Sequence, residues 1–270
     1  MEMKNTQTTK YALITGATGG LGKAFVFLLA ERGYSLLLTG RSEEKLCALQ
    51  AEVLAKFPQI FVRYYPCNLA DEKDRKRMQD EISTDGYLIS LLANIAGADI
   101  QKGLQEYTQE KISFQCRVNF EASVALCHFA IQRKAEQLEI INLSSVSGLY
   151  PMPYFAIYSA TKGALTSFSQ ALRAEMKGKG VKVTAVLPGA MPTREDIKAQ
   201  IKGQGLWGKL AVKSPTSVAK ASLKGVRKNK SKIIVGFWNN LMRLSTFWLP
   251  SSWRTAFIAK RWSKISKDAF

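Results

Sequence analysis

The chain has 270 residues, 46% hydrophobic and 22% charged, a balance that excludes a disordered polymer and suffices for one substantial buried core. Its formal charge of +18 is uneven: sixteen Lys/Arg face one acid, Asp268, between Ile197 and Phe270, so +15 lies in the last quarter. Four cysteines without CxxC spacing form no disulfide or zinc framework, the polar start Met1 to Lys10 lacks the apolar stretch of a leader, and no run is long enough to span a bilayer; reduced, mostly buried thiols and a cytoplasmic location are expected.

Tyr11 to Thr15 is a short apolar run closed by glycines, and Gly20 to Arg32 follows with Leu21, Phe25, Leu28 and Leu29 at helical spacing. Ser35 to Thr39 reads as a second strand, Ser42 caps a helix to about Lys56, and Ile60 to Tyr64 is a third strand. Then come a helix near Asp71 to Ser83, a strand at Tyr87 to Ala93, a long helix around Lys111 to Lys134 and a strand at Glu139 to Leu143. A helix at Ala156 to Lys177, a strand at Val181 to Leu187, a helix from Pro215 and a strand at Lys232 to Val235 complete the alternation. Near-continuous apolar strands alternating with helices predict a doubly wound α/β fold, a parallel sheet of about seven strands in a single domain, with helices on both faces. No linker or repeat marks a second domain.

Between the first strand and helix runs Thr15-Gly16-Ala17-Thr18-Gly19-Gly20-Leu21-Gly22. Gly16 permits a tight turn, Gly20 lets backbone approach a pyrophosphate, Gly22 lets the helix pack on the sheet, and the helix N-terminus offers N–H groups to an anion. After the second strand the chain reads Thr39-Gly40-Arg41-Ser42, without the carboxylate that holds free adenine-ribose hydroxyls. An arginine there pairs with a 2′-phosphate, which favours NADP(H).

Tyr158 and Lys162 lie four apart on one face of the Ala156 helix, and Ser145 follows the Glu139 to Leu143 strand. A phenol titrates about three units above neutrality, so acid/base work by Tyr158 requires a nearby cation; Lys162 and an oxidised nicotinamide would serve, while Ser145 could hold the substrate oxygen.

Together these motifs make residues 10 to 236 resemble the classical short-chain dehydrogenases/reductases. The family's TGxxxGxG is matched by Thr15, Gly16, Gly20 and Gly22, its NNAG by Asn94-Ile95-Ala96-Gly97, and its helical asparagine by Asn119; Ser145, Tyr158 and Lys162 match its active-site serine, tyrosine and lysine. Pro188-Gly189 matches a turn lying against the nicotinamide, and Thr193 a position that often contacts the carboxamide. The resemblance implies a Rossmann-type fold with Tyr158 as general acid in reduction and Lys162 lowering its pKa and holding the ribose. It further implies that Ser145 orients the carbonyl, that Asn119 maintains a water relay, and that Asn68, Leu69, Asn94, Ala96 and Gly97 join the glycine loop with Leu21 around the cofactor. Two positions depart from the family: Ile95 replaces the second asparagine of NNAG, and Asn68 an aspartate that often bonds near the adenine.

The sole histidine, His128, is expected to be a packing residue of its helix, and neither a His-based triad nor a metal-ligand cluster is recognisable. Residues 237 to 270 form a basic, Trp-rich helical extension in which Trp238, Trp248, Trp253 and Trp262 interleave with Arg243, Arg254, Lys260, Arg261, Lys264 and Lys267, Pro250 dividing two short helices. Two readings stay open, an amphipathic face on an anionic membrane surface and tryptophans packed on the enzyme's own core or substrate pocket. No nucleic-acid partner is expected, because no module for one is present.

The reading is thus an NADP(H)-dependent oxidoreductase interconverting a carbonyl and a secondary alcohol on a hydrophobic substrate of 3-oxoacyl or steroid type, working as a homo-oligomer. Ala190 to Lys213, with Gly203, Gly205 and Gly208, would close over the substrate. Its rival is a non-catalytic NADP-binding protein docking through the tail on a membrane or partner.

Overall fold

A computed structural model describes residues 9–191 and 212–262. Its strands are β1 (Tyr11–Thr15), β2 (Ser35–Gly40), β3 (Val62–Pro66), β4 (Ile89–Asn94), β5 (Lys134–Leu143), β6 (Val181–Leu187) and β7 (Lys232–Ile234). They form one parallel sheet of seven strands in the order β3-β2-β1-β4-β5-β6-β7. The helices are α1 (Gly20–Ala30), α2 (Glu43–Lys56), α3 (Glu72–Thr84), α4 (Gln109–Cys116), α5 (Ala122–Gln132), α6 (Ala156–Glu175), α7 (Pro215–Arg227), α8 (Phe237–Phe247) and α9 (Ser251–Trp262).

Because strand side chains alternate, each apolar strand feeds two cores. Ala12 and Ile14 of β1 face Phe25, Leu29, Leu49 and Leu223 of α1, α2 and α7, while Leu13 faces Met78, Leu126 and Leu172 of α3, α5 and α6. This is the predicted doubly wound α/β architecture. The chain leaves β1 in one direction for β2 and β3 and in the other for β4 to β7, so the switch point, where such sheets carry the crevice that binds ligands, lies beyond the carboxyl ends of β1 and β4.

Several expectations need correction. β5 begins at Lys134, five residues before the expected Glu139 and where the helix was expected to end, and β4 begins at Ile89, two residues after the expected Tyr87. The third strand begins at Val62, two residues late, because Ile60 belongs to the turn after α2 and its backbone N–H bonds the Phe57 carbonyl. The long helix around Lys111 to Lys134 is α4 and α5 joined by a π-helical turn, Arg117–Glu121, which a 3.6-residue pattern cannot reveal. His128 is exposed on α5, hydrogen-bonded to Gln132, rather than packed. Of the four thiols only Cys67 and Cys127 are buried; Cys47 and Cys116 are exposed, and all four are free.

The glycine loop leaves no room for side chains at two positions. Gly16 has φ +62 and a Cβ there would lie 3.1 Å from the Ala96 backbone; at Gly22 it would lie 2.0 Å from the Gly16 carbonyl oxygen. Gly22→Ala must therefore push α1 off the turn. We expect a loss of about 3 kcal/mol in urea unfolding, with weakened dinucleotide binding. A variant as stable as the parent would show that the loop has slack.

Candidate active site

The crevice is framed by strand ends whose side chains turn inward and fix the loops that follow. The Thr15 hydroxyl accepts from the backbone N–H groups of Ile95 (2.8 Å) and Ala96 (3.0 Å), tying the loop after β4 to the glycine loop after β1. The Asn94 amide is turned into the core, where it donates to Asn142 Oδ1 (2.8 Å). Within the glycine loop, Gly19 N–H bonds the Gly16 carbonyl and Ala17 N–H the Thr39 carbonyl.

The π turn between α4 and α5 carries Asn119, which is completely buried. Its Nδ2 donates to the Ala98 carbonyl (2.8 Å) and its Oδ1 accepts from the Ala98 N–H (2.8 Å), and Nδ2 also reaches Thr161 Oγ1 on α6 (3.3 Å). Asn119 thus clamps the loop after β4 against α6. A methyl at Gly97 would sit 3.1 Å from Asn119 Oδ1 and 3.3 Å from Lys162 Nζ, a measure of how closely those two side chains approach the same strip of backbone.

Ser145 follows β5 and opens a short 3₁₀ turn, Val146–Leu149, its Oγ accepting from Ser147 N–H (3.1 Å). Ser144 beside it is buried and holds α6 in place, its hydroxyl donating to the Lys162 carbonyl and meeting Thr166 Oγ1, both at 2.7 Å. Val146 N–H bonds the Pro188 carbonyl, joining this turn to Pro188-Gly189 after β6. Tyr158 lies on the first turns of α6, stacked on Phe155 at 4.2 Å between ring centroids and hydrogen-bonded by the Ser145 hydroxyl. One helical turn on, Lys162 is buried, donates to the Leu143 carbonyl (2.8 Å) and lies 5.8 Å from the Tyr158 ring centre.

Burial sets the electrostatics. It raises the Tyr158 phenol well above its ordinary range, the Asp99 carboxylate adds to the rise, and the Ser145 hydrogen bond opposes both. Burial also pushes Lys162 down to about 8, against the pull of Asp99. The arrangement holds a protonated phenol beside an easily titrated ammonium. Asp99, half-buried and acting on both groups, was missed in the sequence; its one signal is an acid standing two residues beyond Gly97. Phe155, the residue that caps α6 three positions before Tyr158, was missed too.

Among the remaining candidates, Gly20, Leu21 and Gly22 form the start of α1, and Arg41 is exposed at the end of β2, before Ser42, which caps α2. Asn68 Oδ1 is engaged locally by Ala70 N–H (3.2 Å), and Leu69 is buried beneath that turn. Ala96 backs onto Gly16, and Gly97 lies beside Asn119 and Lys162. Thr193 and nearly all of the proposed substrate flap lie outside the described residues. Among the described residues no cluster of metal-ligating side chains occurs and no helix is long and apolar enough to cross a membrane.

Residues 10–202 match the model of the short chain dehydrogenase family. A very-long-chain 3-oxoacyl-CoA reductase of Bos taurus is 31% identical over 225 residues, 80% of this chain and 68% of that protein. Among solved structures, a 7β-hydroxysteroid dehydrogenase superposes with a TM-score of 0.82 at 22% identity, covering 93% of this chain and 96% of the other. A short-chain dehydrogenase from Sphingobium yanoikuyae, solved in complex with NADPH, gives a TM-score of 0.72 at 24% identity over 97% of this chain and all 100% of that one. The chain belongs to the short-chain dehydrogenase family, and its fold is the Rossmann-type fold of those structures.

Proposed function

We propose that this protein is an NADP(H)-dependent reductase that interconverts a ketone and a secondary alcohol on a hydrophobic substrate of 3-oxoacyl or steroid type. The observation that carries the reading is the meeting of Ser145, at the end of β5, with Tyr158 and Lys162 on α6, where Lys162 Nζ lies 5.8 Å from the Tyr158 ring centre and is held by the Leu143 carbonyl.

The glycine loop fits a dinucleotide, since Gly16 and Gly22 let the turn fold tightly against Ala96 and α1, leaving the backbone N–H groups at the N-terminus of α1 for a phosphate. Arg41 is exposed where a 2′-phosphate would lie, and no acid replaces it. A dinucleotide held there would supply the hydride for the carbonyl carbon. Tyr158 then gives its proton to the carbonyl oxygen, which Ser145 holds by a hydrogen bond. The Lys162 ammonium stabilises the phenolate left behind and binds the ribose hydroxyls; Asn119 keeps the loop after β4 and α6 in register and maintains the water path by which Tyr158 regains its proton. Asn68, Leu69, Ala96, Gly97, Pro188, Gly189 and Thr193 would complete the cofactor site, and Asn94, its amide turned into the core, would support it from beneath. The 3-oxoacyl-CoA reductase and hydroxysteroid dehydrogenase among the similar proteins support a large apolar substrate, and so does the aromatic stack of Phe155 and Trp262 beside Tyr158. A homo-oligomer, and peripheral residence at a membrane through residues 237 to 270, belong to the same reading.

The test is NADPH oxidation against 3-oxoacyl thioesters, steroid ketones and simple aldehydes, with NADH in parallel. Turnover on an apolar ketone is expected, and Arg41→Ser should cut the preference for NADPH over NADH by about 10- to 100-fold, the worth of a charged hydrogen bond to phosphate. NADPH binding with no turnover on any class would favour the non-catalytic rival.

A further inference from the structure

The two tail helices have two different faces. Inward, Asn239 is buried and bonds the Val235 carbonyl (2.7 Å), fixing α8 to the end of β7. Arg254 of α9 lies 5.6 Å over the Tyr150 ring, and the Trp262 ring is stacked at 6.4 Å on Phe155, itself stacked on Tyr158. The inner face of α9 therefore forms part of the wall of the active-site mouth.

Outward, the same helices and their joint expose Leu241, Leu244, Trp248, Leu249, Trp253 and Phe257, with Trp248 86%, Trp253 69% and Phe257 68% exposed. Six large apolar side chains left exposed between 241 and 257 mark a docking surface rather than ordinary surface scatter. Charge selects the occupant. The two helices and their joint, 237 to 262, carry Arg243, Arg254, Lys260 and Arg261 and no Asp or Glu, so a second copy of the chain would bring like charges against like, whereas an anionic lipid surface is complementary. Helices of 11 and 12 residues are too short to cross a bilayer but long enough to lie in its headgroup layer, where tryptophan is favoured.

We infer that α8 and α9 are a monotopic docking surface for an anionic bilayer, and that docking sets the mouth framed by Tyr150, Phe155 and Trp262 at the lipid surface, so that a lipid-resident ketone reaches Tyr158 without crossing water. The docking stands on the tail alone; the substrate route rests on the reductase reading given above.

The experiment uses the full chain and a Trp248→Ser/Trp253→Ser/Phe257→Ser variant, whose fold is checked by circular dichroism and NADPH binding. Co-sedimentation with vesicles of phosphatidylglycerol and phosphatidylcholine is expected for the parent, weakened at least about tenfold in the variant, on phosphatidylcholine alone and at high salt. Brominated lipid should quench the parent's tryptophan fluorescence. A parent that stays in the supernatant, a variant that sediments equally, or a stable dimer dissolved by the substitutions would each overturn the docking. For the route, the variant should match the parent on a short soluble ketone and fall behind on a long-chain ketone embedded in the vesicles; equal rates on the embedded ketone overturn it. If the parent binds vesicles but reduces no ketone, the docking holds and the reductase reading fails.

Discussion

Tyr158→Phe should reduce ketone turnover by about a thousandfold, the usual worth of a positioned general acid, with NADPH affinity unchanged to within about twofold. The substitution removes one oxygen and keeps the ring that stacks on Phe155, so α6 and the crevice lose nothing in packing. What disappears is the proton. Burial and the Asp99 carboxylate hold the phenol in its acid form across the neutral range, which is the form that reduction consumes. Reduction by the parent should accordingly hold steady below neutrality and decline as pH rises through about 8, where the Lys162 ammonium that stabilises the phenolate is lost, while alcohol oxidation, which needs the phenolate, gains on it as pH rises. Stopped-flow NADPH oxidation and fluorescence titration of NADPH read the two quantities separately. Turnover within tenfold of the parent would mean that another group is the acid.

Lys162→Met should move activity and stability in opposite directions. Turnover is expected to fall at least about a hundredfold, because the phenolate loses its cation and the ribose its donor. Stability should rise. The folded protein holds this ammonium buried with its pKa at about 8 against an ordinary 10.5. The unfolded chain therefore binds more protons between those values, and the parent's stability climbs as pH rises from about 8 toward 10.5. Below that window the whole burial cost is present, on the order of 3 kcal/mol before the loss of the Leu143 hydrogen bond is set against it. We expect the ligand-free variant to be more stable than the parent by about 1–2 kcal/mol at pH 7, with the gap closing at higher pH. Urea unfolding at pH 7 and pH 10 measures it. A variant less stable at pH 7, or a gap indifferent to pH, would mean that Lys162 is comfortable where it sits.

Both effects come from a site that local sequence reveals only in part. Tyr158 and Lys162 could be paired because one helical turn separates them, and Ser145 because it directly follows an apolar strand that had to end there. Asp99 could not be found in that way. Its approach to Tyr158 and Lys162 depends on the loop after β4 being gripped at Ala98 by Asn119, twenty-one residues further on, and Asn119 reaches it from a π turn that interrupts a regular helix. The tail divided in the same manner. Its amphipathic spacing and the break at Pro250 were legible, but whether its tryptophans faced in or out was not, and they do both: Trp262 packs toward the active-site mouth while Trp248 and Trp253 face solvent.

The sequence by itself determined the doubly wound sheet, the glycine turn and the helical pairing of tyrosine and lysine, because these are set by interactions within a few residues: side-chain alternation, apolar runs, φ restrictions and the pitch of a helix. Only the tertiary structure decided the strand order, the clamp by Asn119, the carboxylate beside the phenol and the two faces of the tail. Each of those depends on groups far apart in the chain being brought together when the two cores close on the sheet, and that closure leaves no periodic trace in the order of the residues.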